Sequence, residues 1–374
     1  MNCLVTGGAG FIGSHTADLL ARQGHSVRIL DSLEPPVHPQ GKKPAYLSGV
    51  FEFVKGSVCD KDTLRSALSG IDAVFHLAAY QDYLTDFSKF AHVNDFGTAL
   101  LYEVIINERL PVAKVVVASS QAVYGEGKYE CPAHGIQYPP PRPLSQLTGR
   151  DWDIRCPVCQ ELMRSLPTDE SVVNPNNQYA VSKYCQELYA LKLGQRYDIP
   201  TVLLRYSITQ GPRQSFFNAY SGILRTFSLQ LLNGRPPTVY EDGQQIRDYV
   251  HVSDVARANL LVMEQDAANY RAFNVGGGAV ATVLDYARLL ISLTQKSTDP
   301  TLRGEFRWGD VRHIRSDTSS LNSLGWKPTR NLAEIAGDYL DWVQSQPEAV
   351  DTSAHAAAVM RQMGVIRDSA PGTA

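Results

Sequence analysis

The sequence has no marked excess of either charge. Its 35 Lys and Arg stand against 38 Asp and Glu, for a net charge of −3. That excludes the broad basic surface of a nucleic-acid binder or of a protein held on an anionic membrane. Long apolar runs are missing too, and none approaches the ~20 residues that a membrane helix needs. The opening "MNCLVTGG" has neither the basic stretch nor the cleavage site of a secretion signal. Six cysteines in 374 residues are too few for a disulfide framework, so reduced thiols and a cytoplasmic setting are expected. There is no internal repeat and no low-complexity tract. A chain that is 44% hydrophobic and 20% charged remains, enough for one large globular domain or two modest ones.

Short apolar runs are spaced along the first half: "NCLVT" (2–6), "SVRILD" (26–31), "FEFVKG" (51–56), "DAVFHLAA" (72–79) and "KVVVASS" (114–120). Helical patterns separate them, over 60–69, 94–109 and 178–197. Alternating apolar strands and helices predict an α/β fold with a parallel, doubly wound sheet. The pattern breaks over 127–175, which is rich in Pro, Cys and Gly and carries "YPPPRP" at 138–143. That span is too long for an ordinary loop, so it reads as an insertion with its own organisation.

The first turn, "TGGAGFIG", places Gly7, Gly10 and Gly13 between a strand and a helix. Glycine serves there because the backbone turns sharply and a pyrophosphate approaches it closely. The helix N-terminus offers free N–H groups and partial positive charge to the phosphates. Asp31 ends the second strand, where a carboxylate accepts hydrogen bonds from ribose hydroxyls and repels a 2′-phosphate. NAD is therefore expected rather than NADP. In "YAVSK", Tyr179 and Lys183 lie four apart on a predicted helix and share one face. A cation there is expected to lower the tyrosine pKa from ~10 and fit it for proton exchange with a sugar hydroxyl.

Together these motifs resemble the extended short-chain dehydrogenase/reductase family, in particular its nucleotide-sugar epimerases and dehydratases. The resemblance covers about 1–345 apart from the insertion. It also rests on "HLAA" (76–79), "VNDFGT" (93–98), "SSQAVYG" (119–125), "GPRQ" (211–214), "RDYVHVSDVA" (from Arg247), "FNVGGG" (273–278) and "RWGD" (307–310). It implies a Rossmann-type NAD domain over 1–205, to which 236–260 returns. It also implies a smaller, discontinuous α/β substrate lobe over 206–345, and a tail over 346–374. Ser120, Tyr179 and Lys183 become the catalytic set. Phe11, Ile12, Val58, Leu77, Ala78, Ala79 and Asn94 join the glycines and Asp31 at the cofactor. Gln121, Ala122, Tyr206, Asn218, Arg247, Arg307 and Asp310 join Ser120 around a nucleotide-diphosphate sugar. The two arginines grip the diphosphate and Asp310 meets a ribose. A homodimer built on the helices at about 95–109 and 178–197 is implied as well.

Dehydratases of this family carry an acid just after the catalytic Ser/Thr. Here those positions are Gln121 and Ala122, so elimination is disfavoured and epimerisation, at C4, is expected. A dehydratase or a net oxidoreductase is the enzymatic alternative, and a dinucleotide-sensing scaffold the non-enzymatic one. The substrate pocket departs from the family: "RYSITQGPRQ" puts Ser207, Ile208 and Gln210 where Phe, Asn and Tyr are usual. Ser57 replaces a common acid at the adenine, and "AAYQDYLTDF" (78–87) is an unusual aromatic loop.

Within the insertion, "CPAH" and "CPVC" set Cys131, His134, Cys156 and Cys159 in a Cys-x₂-His, 21 residues, Cys-x₂-Cys pattern. That spacing suits a structural tetrahedral zinc, which would stabilise a segment with little apolar material. Unligated thiols and a redox pair are the alternatives. Cys3, Cys59 and Cys185 read as core or helix residues, and His76 and His251 as core histidines.

Overall fold

The computed structural model describes residues 1–82, 85–218 and 222–370. Seven strands form a central sheet: β1 (Asn2–Thr6), β2 (Ser26–Asp31), β3 (Glu52–Lys55), β4 (Ala73–His76), β5 (Lys114–Ser120), β6 (Thr201–Tyr206) and β7 (Arg271–Val275). All pairings are parallel, in the order β7-β6-β5-β4-β1-β2-β3. Successive side chains of a strand face opposite sides, and here both sides are covered. Val5, Ile29, Phe75, Val116 and Val202 point into one core, while Leu4, Leu30, Val74, Val115 and Leu203 point into another. The continuous apolar runs of the sequence follow from this double burial.

Four helices position the site: α1 (Phe11–Arg22), α2 (Gly97–Asn107), α3 (Gln178–Arg196) and α4 (Val252–Glu264). α2 is entered through a π-helical turn, Ala91–Phe96. Of the expected return over 236–260, the part from Val252 on lies in α4 beside the central sheet's helix α1, and the part before it does not join that sheet. Strand Ile246–His251 belongs instead to a separate three-stranded sheet, between Ile208–Gln210 and Ala279–Thr282. The return runs from α4, which packs on α1, to β7.

The insertion carries a small antiparallel sheet, with Tyr129–Cys131 between Gly135–Gln137 and Arg164–Ser165. The tail is better ordered than its alanine-rich, polar sequence suggests. Helix Ser353–Gln362 is followed by strand Ile366–Asp368, which pairs antiparallel with Glu305–Arg307. Arg361 forks onto Glu305 at 2.7 and 2.9 Å, which fixes the helix to that strand. No helix among the described residues is long and apolar enough to cross a membrane.

Candidate active site and Cys/His centre

A cavity of about 930 Å³ runs from the glycine turn, across the ends of the central strands, into the second lobe. At one end lie Gly7, Gly10, Phe11, Ile12, Gly13, Asp31, Val58, Leu77, Ala78 and Ala79, all on the wall. Two glycines are sterically required. A Cβ on Gly7 would meet the Ala78 backbone at 2.8 Å, and one on Gly13 would meet the Gly7 carbonyl at 2.2 Å. Asp31 accepts from the backbone N–H groups of Ala9 (3.0 Å) and Leu33 (2.8 Å). Each carboxylate oxygen keeps capacity for a further donor, as two ribose hydroxyls require. This cradle, a helix N-terminus beside a fixed carboxylate, fits NAD.

Asn94 is the exception. It is fully buried behind the wall, where its side chain binds both backbone groups of Tyr80 and the Ser182 hydroxyl. Those bonds use up its amide, so it braces the loop after β4 against α3 rather than facing the cofactor. Residues 83 and 84 of that aromatic loop lie outside the described residues.

Ser120, Gln121, Ala122, Tyr179 and Lys183 line the middle of the cavity. Ser120 ends β5, and its hydroxyl also caps the following turn by accepting from the Ala122 N–H. Tyr179 stands in the first turn of α3, which Asn177 caps. The Tyr179 hydroxyl is hydrogen-bonded to Ser120, which favours its phenolate, but burial outweighs this and pushes its pKa up to about 12. The expected lowering by Lys183 is thus not what the structure gives. Lys183 Nζ donates to the Ala118 carbonyl (2.8 Å) and Gln186 Oε1 (2.7 Å). Burial in turn lowers the ammonium to about 7. A buried cation with so low a pKa is a weak source of positive potential for its neighbour.

At the far end, Tyr206, Asn218, Arg247, Arg307 and Asp310 line the wall, together with Ser207 and Ile208. Arg247 donates to the carbonyls of Ile246 (3.0 Å), Arg312 (3.0 Å) and Val311 (2.8 Å). Arg307 pairs with Asp310 at 2.9 Å. The carboxylates on the whole wall are Asp31, Glu34 and Asp310. Asp31 is bound at the cofactor end, Glu34 follows it just past β2, and Asp310 is held by Arg307, so none of the three replaces the missing acid at 121 or 122.

Met360 and Arg361, on the wall, come from the tail helix and carry no sequence signal. Gln186, fully buried one turn beyond Lys183 on α3 and not itself on the wall, shares a face with Lys183 by its spacing, which does not reveal its partner. Its amide donates to Thr98 at 2.9 Å. Thr98 donates to the Asn94 carbonyl, so it accepts from His76 Nε2 at 3.0 Å; His76 Nδ1 then accepts from Thr6 at 3.0 Å. His76 is a satisfied core histidine, and burial lowers its pKa to about 3.

Outside the wall of this cavity, Cys131, His134, Cys156 and Cys159 converge, with ligand atoms all within 4.8 Å of one another. Cys131 Sγ lies 3.6 Å from Cys159 Sγ and 3.6 Å from His134 Nδ1, and Cys156 Sγ lies 3.5 Å from the same nitrogen. A tetrahedral zinc with bonds of ~2.3 Å to sulfur and ~2.0 Å to nitrogen requires edges of roughly 3.5–3.8 Å. The three short separations match edges of such a tetrahedron, and the donor set of three thiols and one imidazole suits that metal. All six cysteines are free thiols.

The model of the NAD dependent epimerase/dehydratase family matches residues 3–146 and 157–276, most of the chain. The chain belongs to this family. The unmatched residues 147–156 fall inside the insertion. Among curated members, a dTDP-L-rhamnose 4-epimerase of Burkholderia thailandensis is 34% identical over 353 residues, covering 92% of this chain and 95% of the relative. A putative UDP-glucose 4-epimerase of Methanocaldococcus jannaschii is 30% identical, covering 91% and 98%. Among solved structures, the UDP-glucose 4-epimerase of Thermotoga maritima, with UDP-glucose, superposes with a TM-score of 0.76 at 30% identity, covering 92% and 99%. That of Thermus thermophilus, with NAD, gives 0.71 at 27%, with the same coverage.

Proposed function

We propose that this protein is an NAD-dependent nucleotide-sugar epimerase that inverts C4 through a transient 4-keto sugar. The observation that carries the reading is the hydrogen-bonded Ser120–Tyr179 pair. It sits between a dinucleotide cradle and two cavity-facing arginines, with no acid at 121 or 122. When bound in this cradle, NAD⁺ would supply the hydride acceptor for the sugar carbon and, once reduced, the donor, and its positive ring would favour the Tyr179 phenolate. Ser120 orients the sugar hydroxyl. Tyr179 accepts the hydroxyl proton as the carbonyl forms and gives it back when the carbonyl is reduced from the other face. Arg247 and Arg307 hold the diphosphate, for which guanidinium forks are suited. Asp31 takes the adenosine ribose.

The relatives point to dTDP- or UDP-linked hexoses and 6-deoxyhexoses as substrates. The test is to purify the protein without added NAD and incubate it with such sugars. NMR and mass spectrometry should find a product of unchanged mass, inverted at C4. Loss of one water would overturn the reading in favour of a dehydratase.

We also assign the Cys131–His134–Cys156–Cys159 cluster to structural zinc. All four positions of the tetrahedron are taken by protein ligands, which leaves none for catalysis. The free thiols suit a reducing compartment such as the cytoplasm. A homodimer is supported by exposed apolar residues on one face of α3, Val181, Leu188 and Tyr189, with exposed Phe96 ahead of α2.

A further inference from the structure

We propose that the insertion sets the geometry of the diphosphate grip, with Arg142 as the positioning residue that connects the two. The inference rests on the nucleotide-sugar reading, which makes Arg247 and Arg307 the groups that hold phosphate.

Arg142 belongs to the proline-rich part of the insertion, yet its side chain is only 2% exposed. Its two terminal nitrogens each lie 2.9 Å from one oxygen of Glu241, a bidentate pair formed across to the substrate lobe. The same guanidinium donates to the Trp152 carbonyl of the insertion (2.8 Å) and to the Asp310 carbonyl of the lobe (2.9 Å). Glu241 also binds Arg312 at 3.0 Å, and its N–H donates to the Glu305 carbonyl on the strand that ends in Arg307. Arg312 is reached twice more from the far side. Its backbone N–H donates to Glu126 (2.7 Å), just before the insertion, and its guanidinium to Asp153 (2.9 Å) within it.

Segment 310–312 is therefore held on one side by the insertion and grips the arginines on the other. Val311 and Arg312 supply carbonyls to Arg247, and Asp310 supplies its carboxylate to Arg307. Buried ion pairs add little net stability, because desolvation offsets their attraction. A four-bond guanidinium instead fixes one arrangement of the chain. Guanidinium spacing matters for bidentate phosphate recognition. A small displacement of 310–312 would move both forks, with no effect on Tyr179 or the cofactor cradle.

The experiment uses the full, NAD-loaded protein with Arg142→Lys, which keeps the charge and loses the fork. Asp153→Asn, half-exposed, is the gentler second variant should the first fold poorly. Arg164→Ala, at the outer rim of the insertion and 74% exposed, is the control. The readouts are kcat, KM for the accepted sugar nucleotide, Kd for UDP and dTDP by calorimetry, bound NAD and thermal melting. The expected result is a rise of about tenfold in KM and in nucleoside-diphosphate Kd for Arg142→Lys and about threefold for Asp153→Asn, with kcat within about twofold. Bound NAD and the control should be unchanged. Folded variants with unaltered KM and Kd would overturn the inference, as would kcat, NAD content and melting temperature falling together. A wild-type protein that binds no nucleoside diphosphate would overturn the epimerase reading itself, an outcome distinct from failure of the variants alone.

Discussion

Gln186 accepts a 2.7 Å hydrogen bond from Lys183 one turn earlier on α3 and passes a 2.9 Å bond to Thr98 on α2. Lys183 is buried and its ammonium is already depressed to about 7, so each acceptor on it matters. In Gln186→Leu the charged form loses one of its two partners. The Lys183 pKa should fall further, so less of the lysine is charged at neutral pH. The limb of the kcat–pH profile on which the ammonium loses its proton is expected to shift to lower pH and kcat at neutral pH to fall about tenfold, with NAD still bound. An unmoved limb would remove Gln186 from the positioning of Lys183.

Tyr179→Phe deletes the hydroxyl to which the proton exchange is assigned and changes little in packing. Turnover should drop by roughly 10³-fold, while NAD and nucleoside-diphosphate binding persist. Ser120→Ala should cost less, on the order of 10²-fold, because Tyr179 still reaches the sugar. Turnover by the Phe variant at the wild-type rate would require another base.

The metal assignment is checked by elemental analysis. One zinc per chain is expected after purification without added metal. Cys156→Ser replaces a fully buried ligand and should yield protein without stoichiometric zinc and with a lower melting temperature. Metal-free wild-type protein that melted unchanged after exhaustive chelation would return these residues to plain thiols.

His76 gives the fold an acid sensitivity. Its folded pKa, about 3, lies below the ~6.5 of an unfolded histidine. Between those values the unfolded chain binds a proton that the folded chain refuses. Its contribution is complete above pH ~6.5 and declines on acidification by about 1.4 kcal/mol per pH unit toward pH 3. Urea titrations of wild type and of His76→Gln between pH 7 and 4.5 should converge as pH falls. Parallel curves would assign the acid response to other groups.

The cofactor half of the molecule was legible in the sequence because its constraints are local. A turn that cannot admit a Cβ must read Gly7 and Gly13, and a doubly covered strand must read as an unbroken apolar run. The Cys/His cluster was legible for a similar reason, since two x₂ spacings preset two chelating turns. What escaped depends on contacts made across long stretches of chain. Arg142 looks like a charge in a proline-rich loop, and only the fold brings it to Glu241. The tyrosine pKa was misjudged because spacing reports that Lys183 shares a face with Tyr179, and says nothing of how deeply both are buried. The order of the alanine-rich, polar tail comes from Arg361 and the strand pairing at 366–368, contacts with no local signature.

That tail also fixes the order in which the enzyme becomes complete during synthesis. The residues that line the cofactor cradle all precede β7 and the core beneath them is completed by Leu321 and Trp326, whereas the strand bearing Arg307 finds its partner only at Ile366–Asp368. A nascent chain can thus complete the cofactor half roughly 40 residues before it can close around a sugar. A product truncated ahead of Ile366 would accumulate as a folded NAD-bound species with no grip on substrate, a form that cofactor content alone would score as intact enzyme.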